Sequence, residues 1–301
     1  MVFSAIITII NGHLVHRLER FPDKKEVRGP TPRMPTTRFT MDKITIKNRK
    51  GQKIVVLLQK AEKQKGLVFV VHGLGGTKGE QHIQTFAQTF RKKEFTVIRF
   101  DTTNTFGESD GIYEDATLTQ HYADLEDVIV WATSQNWYQE PFYLVGHSFG
   151  GIASILYTEK HPEKIKALAP ISTVISGKLS LQTPQFRDDW KDWEQTGWRQ
   201  DKSESVPGRT KRLPWSHMAD RLTYDILPEA TKLTMPVLCI VGDQDKGTPP
   251  EHQELLYEKL PGEKELHIIQ GAPHTFKDQS HLAQIKAIFE KWIDQVEEKQ
   301  K

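Results

Sequence analysis

The chain has 301 residues, 41 basic against 39 acidic side chains, a net charge of +2 and a hydrophobic fraction of 37%. That is enough chain for one large α/β domain, or two small ones, with an ample core, and the balanced charge, with no long block of one sign, argues against a nucleic-acid partner. The single cysteine, Cys239, excludes an internal disulfide and, inside the apolar run 236–241, reads as a buried thiol, which favours a reducing, cytoplasmic setting.

Residues 2–10 are apolar, but no Lys or Arg precedes them and no small-residue cleavage site follows. They make a poor signal peptide and are too short to span a bilayer, so no stable membrane insertion is expected. The Pro/Thr/Arg stretch 28–37 reads as extended linker. Residues 1–40 are therefore expected to form an extension, flexible or outside the core; in the strong form the natural start is Met34 or Met41. A strand or helix docked on the domain is the alternative.

From Met41 the pattern becomes regular. Strand-like segments 43–47 and 53–58 flank the turn Asn48-Arg49-Lys50-Gly51, a leading hairpin. Short apolar runs at 67–71, 95–100, 142–145, 167–171, 237–241 and 265–269 then alternate with helix-length segments at 82–92, 119–134, 151–160, 251–259 and 281–298, whose apolar residues recur at three- and four-residue spacing. The alternation predicts a mostly parallel sheet with helices on both faces, a domain spanning 41–301. Between about 176 and 225 it stops, and four of the seven tryptophans, Trp190, Trp193, Trp198 and Trp215, appear among charged, Gly and Pro residues. This segment is expected to be a small inserted helical cap. Its tryptophans either line an apolar substrate pocket or simply anchor the cap by packing.

The run ending in Gly146-His147-Ser148-Phe149-Gly150 has the form of a nucleophile elbow: a buried strand, then Gly-x-Ser-x-Gly, then an apolar helix. Glycines are needed because strand and helix crowd the turn that presents the serine. A second match, Gly107-Glu108-Ser109-Asp110-Gly111, follows loop-like residues and precedes charged ones, so its context does not fit a nucleophile.

A serine hydroxyl is a weak nucleophile near neutral pH and needs a base, an acid that orients the base, and donors for the oxyanion. Two carboxylates, Asp243 and Asp245, follow the strand 237–241; Asp245 is assigned as the acid, while Asp243 sits so close to the strand that loop capping is its expected role. The base is assigned to His274, on the loop after the last strand; His252, His267 and His281 read as packing or surface residues. The oxyanion donors should be the N–H of Phe149 and, from the glycine-rich loop 72–76, the N–H of Leu74. A phosphate loop is disfavoured there because no Gly-Lys-Ser/Thr follows, and the histidines lack compact metal-ligand spacing, so no metal site is expected.

Taken together, His72-Gly73-Leu74, Asp101 with the downstream 107–111 segment, the elbow around Ser148, Gly242-Asp243-Gln244-Asp245 and the His274 loop give a chain that resembles the α/β-hydrolase superfamily from about residue 41 onward. The likeness is to cinnamoyl (feruloyl) esterases and to serine-aminopeptidase-like or monoglyceride-lipase-like hydrolases. The order Ser148, Asp245, His274 is the order of that fold. Where the resembling esterases carry a Gly-His-Gly-like turn, this chain has Thr102-Thr103-Asn104-Thr105-Phe106-Gly107, and its tryptophan-rich cap also departs from them. The resemblance thus implies hydrolysis of a small or medium acyl or aryl ester through an acyl-enzyme that needs no metal or organic cofactor, without fixing the acid. Thioester or peptide cleavage by the same three residues, and a non-catalytic ligand-binding role, are the competing functions.

Overall fold

The computed structural model of the chain describes residues 4–10, 13–19, 39–202, 208 and 210–299. In chain order the strands are β1 (Ser4–Ile10), β2 (His13–Glu19), β3 (Phe39–Lys47), β4 (Lys53–Ala61), β5 (Gly66–Val71), β6 (Phe95–Asp101), β7 (Phe142–His147), β8 (Ile165–Ile171), β9 (Trp198–Lys202), β10 (Thr210–Pro214), β11 (Val237–Gly242) and β12 (Lys264–Ile269). The helices are α1 (Gln81–Lys92), α2 (Leu118–Thr133), α3 (Phe149–Lys160), α4 (Gly177–Ser180), α5 (Trp190–Thr196), α6 (Trp215–Arg221), α7 (Pro250–Lys259) and α8 (Gln279–Glu298).

Ten strands form one sheet in the order β2-β1-β12-β11-β8-β7-β5-β6-β4-β3. The six strands from β12 to β6 are parallel, and β4 and β3 close one side antiparallel. Strands buried on both faces should read as continuous apolar runs, and β5 and β7 do so, with every residue buried. The faces divide by the two-residue period: Leu67, Phe69 and Val71 of β5 join the core under α2 and α3, while Val68 and Val70 join the core under α1 and α8. The second core is aromatic, with Phe86 stacked on Phe289 at 5.3 Å and Tyr143 edge-on to Trp292 at 5.7 Å. Burying each such ring contributes about 1.5–3 kcal/mol.

Within the first forty residues, expected to form an extension, the described segments 4–10 and 13–19 are strands. The backbone of β1 pairs antiparallel with β12, Ile6 opposite Ile269 through Ile10 opposite Glu265, and β2 pairs with β1. The apolar run that makes a poor leader has the composition of a strand, and the open edge of β12 supplies unpaired backbone groups for it. Met34 and the stretch 28–37 lie outside the described residues.

After β8 the chain leaves the sheet and returns at a single antiparallel bridge between Ser176 and Asp225, flanked by Gly177 N–H to Tyr224 O (2.9 Å) and Ile226 N–H to Ile175 O (3.1 Å). The excursion holds α4, α5, the two-stranded ribbon β9–β10 and α6. No described helix is long and apolar enough to cross a membrane.

Candidate active site

The carboxyl ends of the parallel strands open on one edge of the sheet, where ligands bind in open α/β folds. Each assigned residue sits there: Ser148 directly after β7, Asp245 three residues past β11, His274 on the loop after β12, and the 72–76 loop directly after β5.

Ser148 has φ +56° and ψ −113°, a conformation costly for a residue with a side chain, and its N–H is held by the carbonyl of Ile171 at 3.0 Å. The glycines are obligatory for the reason anticipated. A Cβ on Gly146 would stand 2.0 Å from the Gly150 carbonyl oxygen, and one on Gly150 would stand 2.3 Å from that of Val71. Both obstacles are backbone, so no side-chain rotation relieves them. A Cβ on Gly73 would lie 2.9 Å from the Ser148 Cβ, so the 72–76 loop packs directly on the elbow.

His274 Nδ1 donates to Asp245 Oδ2 at 2.7 Å. That carboxylate is almost fully buried, and its other oxygen accepts the N–H groups of Gly247 and Thr248, both at 2.9 Å; the Thr248 hydroxyl lies 2.8 Å from Oδ2 and 2.9 Å from the Ser172 carbonyl. Burial alone would raise the Asp245 carboxyl, but the facing His274 and the bonds from His274 and Thr248 outweigh it and hold the group below the usual carboxylate range. Asp243 takes the other role: its carboxylate accepts the Gly271 N–H at 2.7 Å.

Sequence reasoning passed over the residues that align these loops. His147 Nε2 donates to the His274 carbonyl at 2.8 Å, tying the His274 loop to the residue before Ser148. Burial first, then the neighbouring His82 and His274, push its pKa far down, so it acts as a neutral donor. His72 Nε2 accepts the Thr102 N–H at 3.0 Å, which places the ring proton on Nδ1, and this donates to the Gly73 carbonyl at 2.8 Å; Gly76 N–H reaches the same oxygen at 2.9 Å. A trans peptide points its N–H opposite its C=O. Pinning the Gly73 carbonyl therefore orients the Leu74 N–H away from it. Phe149 N–H stands ahead of the first intrahelical bonds, which Gly151 and Ile152 make to the Ser148 carbonyl, so it belongs to the unsatisfied helix start. The motif Asp-x-x-Thr after β11 is a legible local turn signal for Thr248; His72 and His147 stand inside recognisable motifs, but nothing in those motifs announces the hydrogen bonds they make.

The second Gly-x-Ser-x-Gly is a clamp. The Ser109 hydroxyl donates to the Asp101 carbonyl at 2.6 Å and accepts the Val55 N–H at 2.9 Å, while the buried Asp101 carboxylate pairs with Lys78 at 2.5 Å. A Cβ on Gly107 would come within 2.2 Å of Asp101 Cγ.

The four tryptophans do different things. Trp193 is 2% exposed, donates Nε1–H to the Leu213 carbonyl at 3.1 Å and centres a cluster with Tyr113, Phe186, Leu213 and Met218, against which Leu74 and Trp215 pack. Trp190 stacks on Trp215 at 6.5 Å. Trp198 is 42% exposed and covered on one face by the Arg212 guanidinium at 3.8 Å. The excursion thus lies on the Leu74 loop through Trp193, Trp215 and their neighbours, with Trp198 turned outward.

One buried charge in this region was not foreseen. Arg221, 4% exposed, holds its guanidinium 5.2 Å from the Phe149 ring and 5.4 Å from the Phe186 ring. Its Nε is buried without a hydrogen-bond partner, and burial alone brings its pKa down to about 9. The adjacent carboxylate, Asp220, is occupied elsewhere, accepting the Leu118 and Thr119 N–H groups at 2.8 and 3.1 Å. Ring faces supply about 2 kcal/mol each at best, less than the several kcal/mol that desolvating an unpaired ion costs.

A family model described as serine aminopeptidase, S33, matches residues 62–278, which include the elbow and both strand-end loops. The chain belongs to this family. This S33-family hydrolase is 24% identical over 259 residues, 75% of its length and 90% of the relative's, to an uncharacterized 31.7 kDa protein in the traX-finO intergenic region of Escherichia coli. Among solved structures it is similar to Est1E from Butyrivibrio proteoclasticus with ferulic acid bound (TM-score 0.70, 22% identity, 84% of this chain and 98% of that one). It is similar, too, to the mouse alpha/beta hydrolase domain-containing protein 10 (TM-score 0.71, 18% identity, 85% and 99%). The S33-family hydrolase has the α/β-hydrolase fold: within the ten-stranded sheet, β3 to β8 with β11 and β12 make the eight-stranded, mostly parallel arrangement of that fold.

Proposed function

We propose that this hydrolase is a serine esterase that cleaves small or medium acyl or aryl esters through an acyl-enzyme on Ser148. The observation that carries the reading is the 2.7 Å bond from His274 Nδ1 to the buried Asp245 carboxylate, on a loop tied through His147 to the residue before Ser148. With its Nδ1 proton committed to Asp245, His274 has Nε2 as the basic nitrogen. It takes the Ser148 proton as Oγ attacks the ester carbonyl, and the N–H groups of Leu74 and Phe149 stabilise the oxyanion. His274 then returns the proton to the leaving alcohol, activates water by the same route, and the acid departs. Asp245 stays ionised throughout, fixing the tautomer. Trp193 and Trp215 wall the region above Leu74, and the reading places the enzyme in the cytoplasm, on the strength of its lone buried Cys239.

Peptide hydrolysis from a free amino terminus, which the family's description names, follows the same steps. It calls for a carboxylate to receive the substrate ammonium, whereas the buried charge beside Phe149 is a guanidinium. The deciding experiment is intact-mass analysis after fluorophosphonate treatment, with p-nitrophenyl butyrate hydrolysis in parallel. One adduct on wild type, none on Ser148→Ala, and hydrolysis lost with it is the expected outcome. A folded wild type that takes no adduct would refute the proposal.

A further inference from the structure

The strongest unexplained feature of the molecule is the Arg221 guanidinium. It is buried on α6 beside the ring of Phe149, the residue that follows Ser148, and it lacks a carboxylate partner among the described residues. Its buried Nε has no hydrogen-bond acceptor, and ring faces stand beside the guanidinium: Phe149 at 5.2 Å and Phe186 at 5.4 Å, with His217 stacked on Phe149 at 5.5 Å. His217 donates Nδ1–H to the Ala116 carbonyl at 2.7 Å and is committed there. Asp220 is turned to the start of α2. Apolar walls around a fixed, unpaired cation are the makings of an anion receptor, since the walls exclude the water that would otherwise compete for the charge.

We infer that Arg221 receives a free carboxylate on the substrate, so that the ester cleaved at Ser148 is one that carries a second, ionised carboxyl group. This deepens the esterase reading and rests on it for the bond broken. A carboxylate rather than a phosphate dianion is specified because the site offers one positive charge: burial shifts both neighbouring histidines, His217 and His252, toward their neutral forms. The planar guanidinium fork matches a carboxylate in two parallel hydrogen bonds, which a lysine cannot reproduce.

The test compares two matched pairs of esters on wild type, Arg221→Met and Arg221→Lys. In one pair the charge is in the acyl half, phenyl hydrogen adipate against methyl phenyl adipate. In the other it is in the alcohol half, 3-butyryloxybenzoic acid against its methyl ester. Wild type should favour the anion in one pair by about tenfold or more in kcat/KM, the scale of a charge-assisted hydrogen bond, with most of the difference in KM. Arg221→Met should abolish that ratio and Arg221→Lys should retain part of it. Parity in both pairs on wild type, or a ratio unchanged in Arg221→Met, overturns the inference.

A calorimetric titration of monomethyl adipate and dimethyl adipate into Ser148→Ala separates this inference from the esterase proposal. Binding of the monoanion alone, weakened by adding Arg221→Lys, sustains the receptor even if no ester is hydrolysed. Equal binding of the two, or none, removes it even if Ser148 is labelled and active.

Discussion

Replacing Asp245 by Asn tests the catalytic geometry with little disturbance of shape. The side chain has four close partners: Gly247 and Thr248 N–H on Oδ1, and the Thr248 hydroxyl and His274 Nδ1 on Oδ2. The two backbone donors force the amide oxygen of an Asn into the Oδ1 position, which puts the NH₂ where Oδ2 was. That group can donate to the Thr248 hydroxyl, whose own proton is then committed to the Ser172 carbonyl 2.9 Å away. Its other hydrogen faces His274 Nδ1, which must now accept. The ring proton moves to Nε2, and the base becomes a donor toward the nucleophile.

Loss of the correct tautomer in a serine–histidine–aspartate site costs about 10⁴ in kcat, or roughly 5.5 kcal/mol. The packing is preserved, so the melting temperature should change little. Asp243→Asn is the matched control, because it caps Gly271 N–H, and it should leave kcat within a few-fold. The assay is p-nitrophenyl butyrate turnover together with the rate of fluorophosphonate labelling. A folded Asp245→Asn enzyme within tenfold of wild type, or an Asp243→Asn enzyme as impaired as Asp245→Asn, would refute the assignment of roles.

Three further outcomes follow from the same geometry. Ser109→Ala removes a hydroxyl that bridges Asp101 and Val55, so it should cost about 1–2 kcal/mol in a denaturant melt while Ser148 keeps its labelling rate. Trp193→Ala should destabilise the protein by about 3–5 kcal/mol, since Trp193 is the buried centre of its cluster, whereas Trp198→Ala, losing a half-exposed ring, should fall within about 1 kcal/mol of wild type by the same measurement. The Glu159 carboxyl is raised by burial, then by neighbouring Glu229, to about 7, and one of its oxygens has no partner. The folded state therefore keeps this proton where the unfolded chain, near 4.3, has lost it, so stability is full below about pH 4 and declines as the pH rises to about 7. Glu159→Gln should raise the melting temperature by about 2–4 °C at pH 8 and leave it unchanged at pH 4, the size reduced for partial exposure. An equal rise at both values would contradict the assigned cause.

The parallel sheet was legible because strands buried on both faces must be apolar throughout, and the elbow because only glycine fits where Gly146 and Gly150 meet backbone. Asp243 and Asp245 could be told apart by their distance from the strand end, a local property. What escaped was non-local. Whether Trp193 or Trp198 is buried depends on how α5 and the β9–β10 ribbon settle on the Leu74 loop, and the two have similar sequence surroundings. Arg221 ends a short amphipathic stretch like many surface arginines, and nothing nearby in sequence announces that Asp220 is engaged with α2. The two N-terminal strands are recruited by an edge formed more than 240 residues later in the chain.

Two of the ties around Ser148, Asp245 and His274 share an asymmetry. His147 and Thr248 supply the donors from side chains, while the receiving ends, on His274 and Ser172, are main-chain carbonyls. Every residue type offers a carbonyl, so the receiving half of this alignment places no chemical demand on the side chains there. With main-chain carbonyls at both receiving ends, these two ties depend on the donor side chains, His147 and Thr248. Neither of these two ties runs through the segment between the Ser176 and Asp225 bridge ends, which holds Arg221. A substitution within that segment can therefore alter what packs on Leu74 and Phe149 without removing either tie.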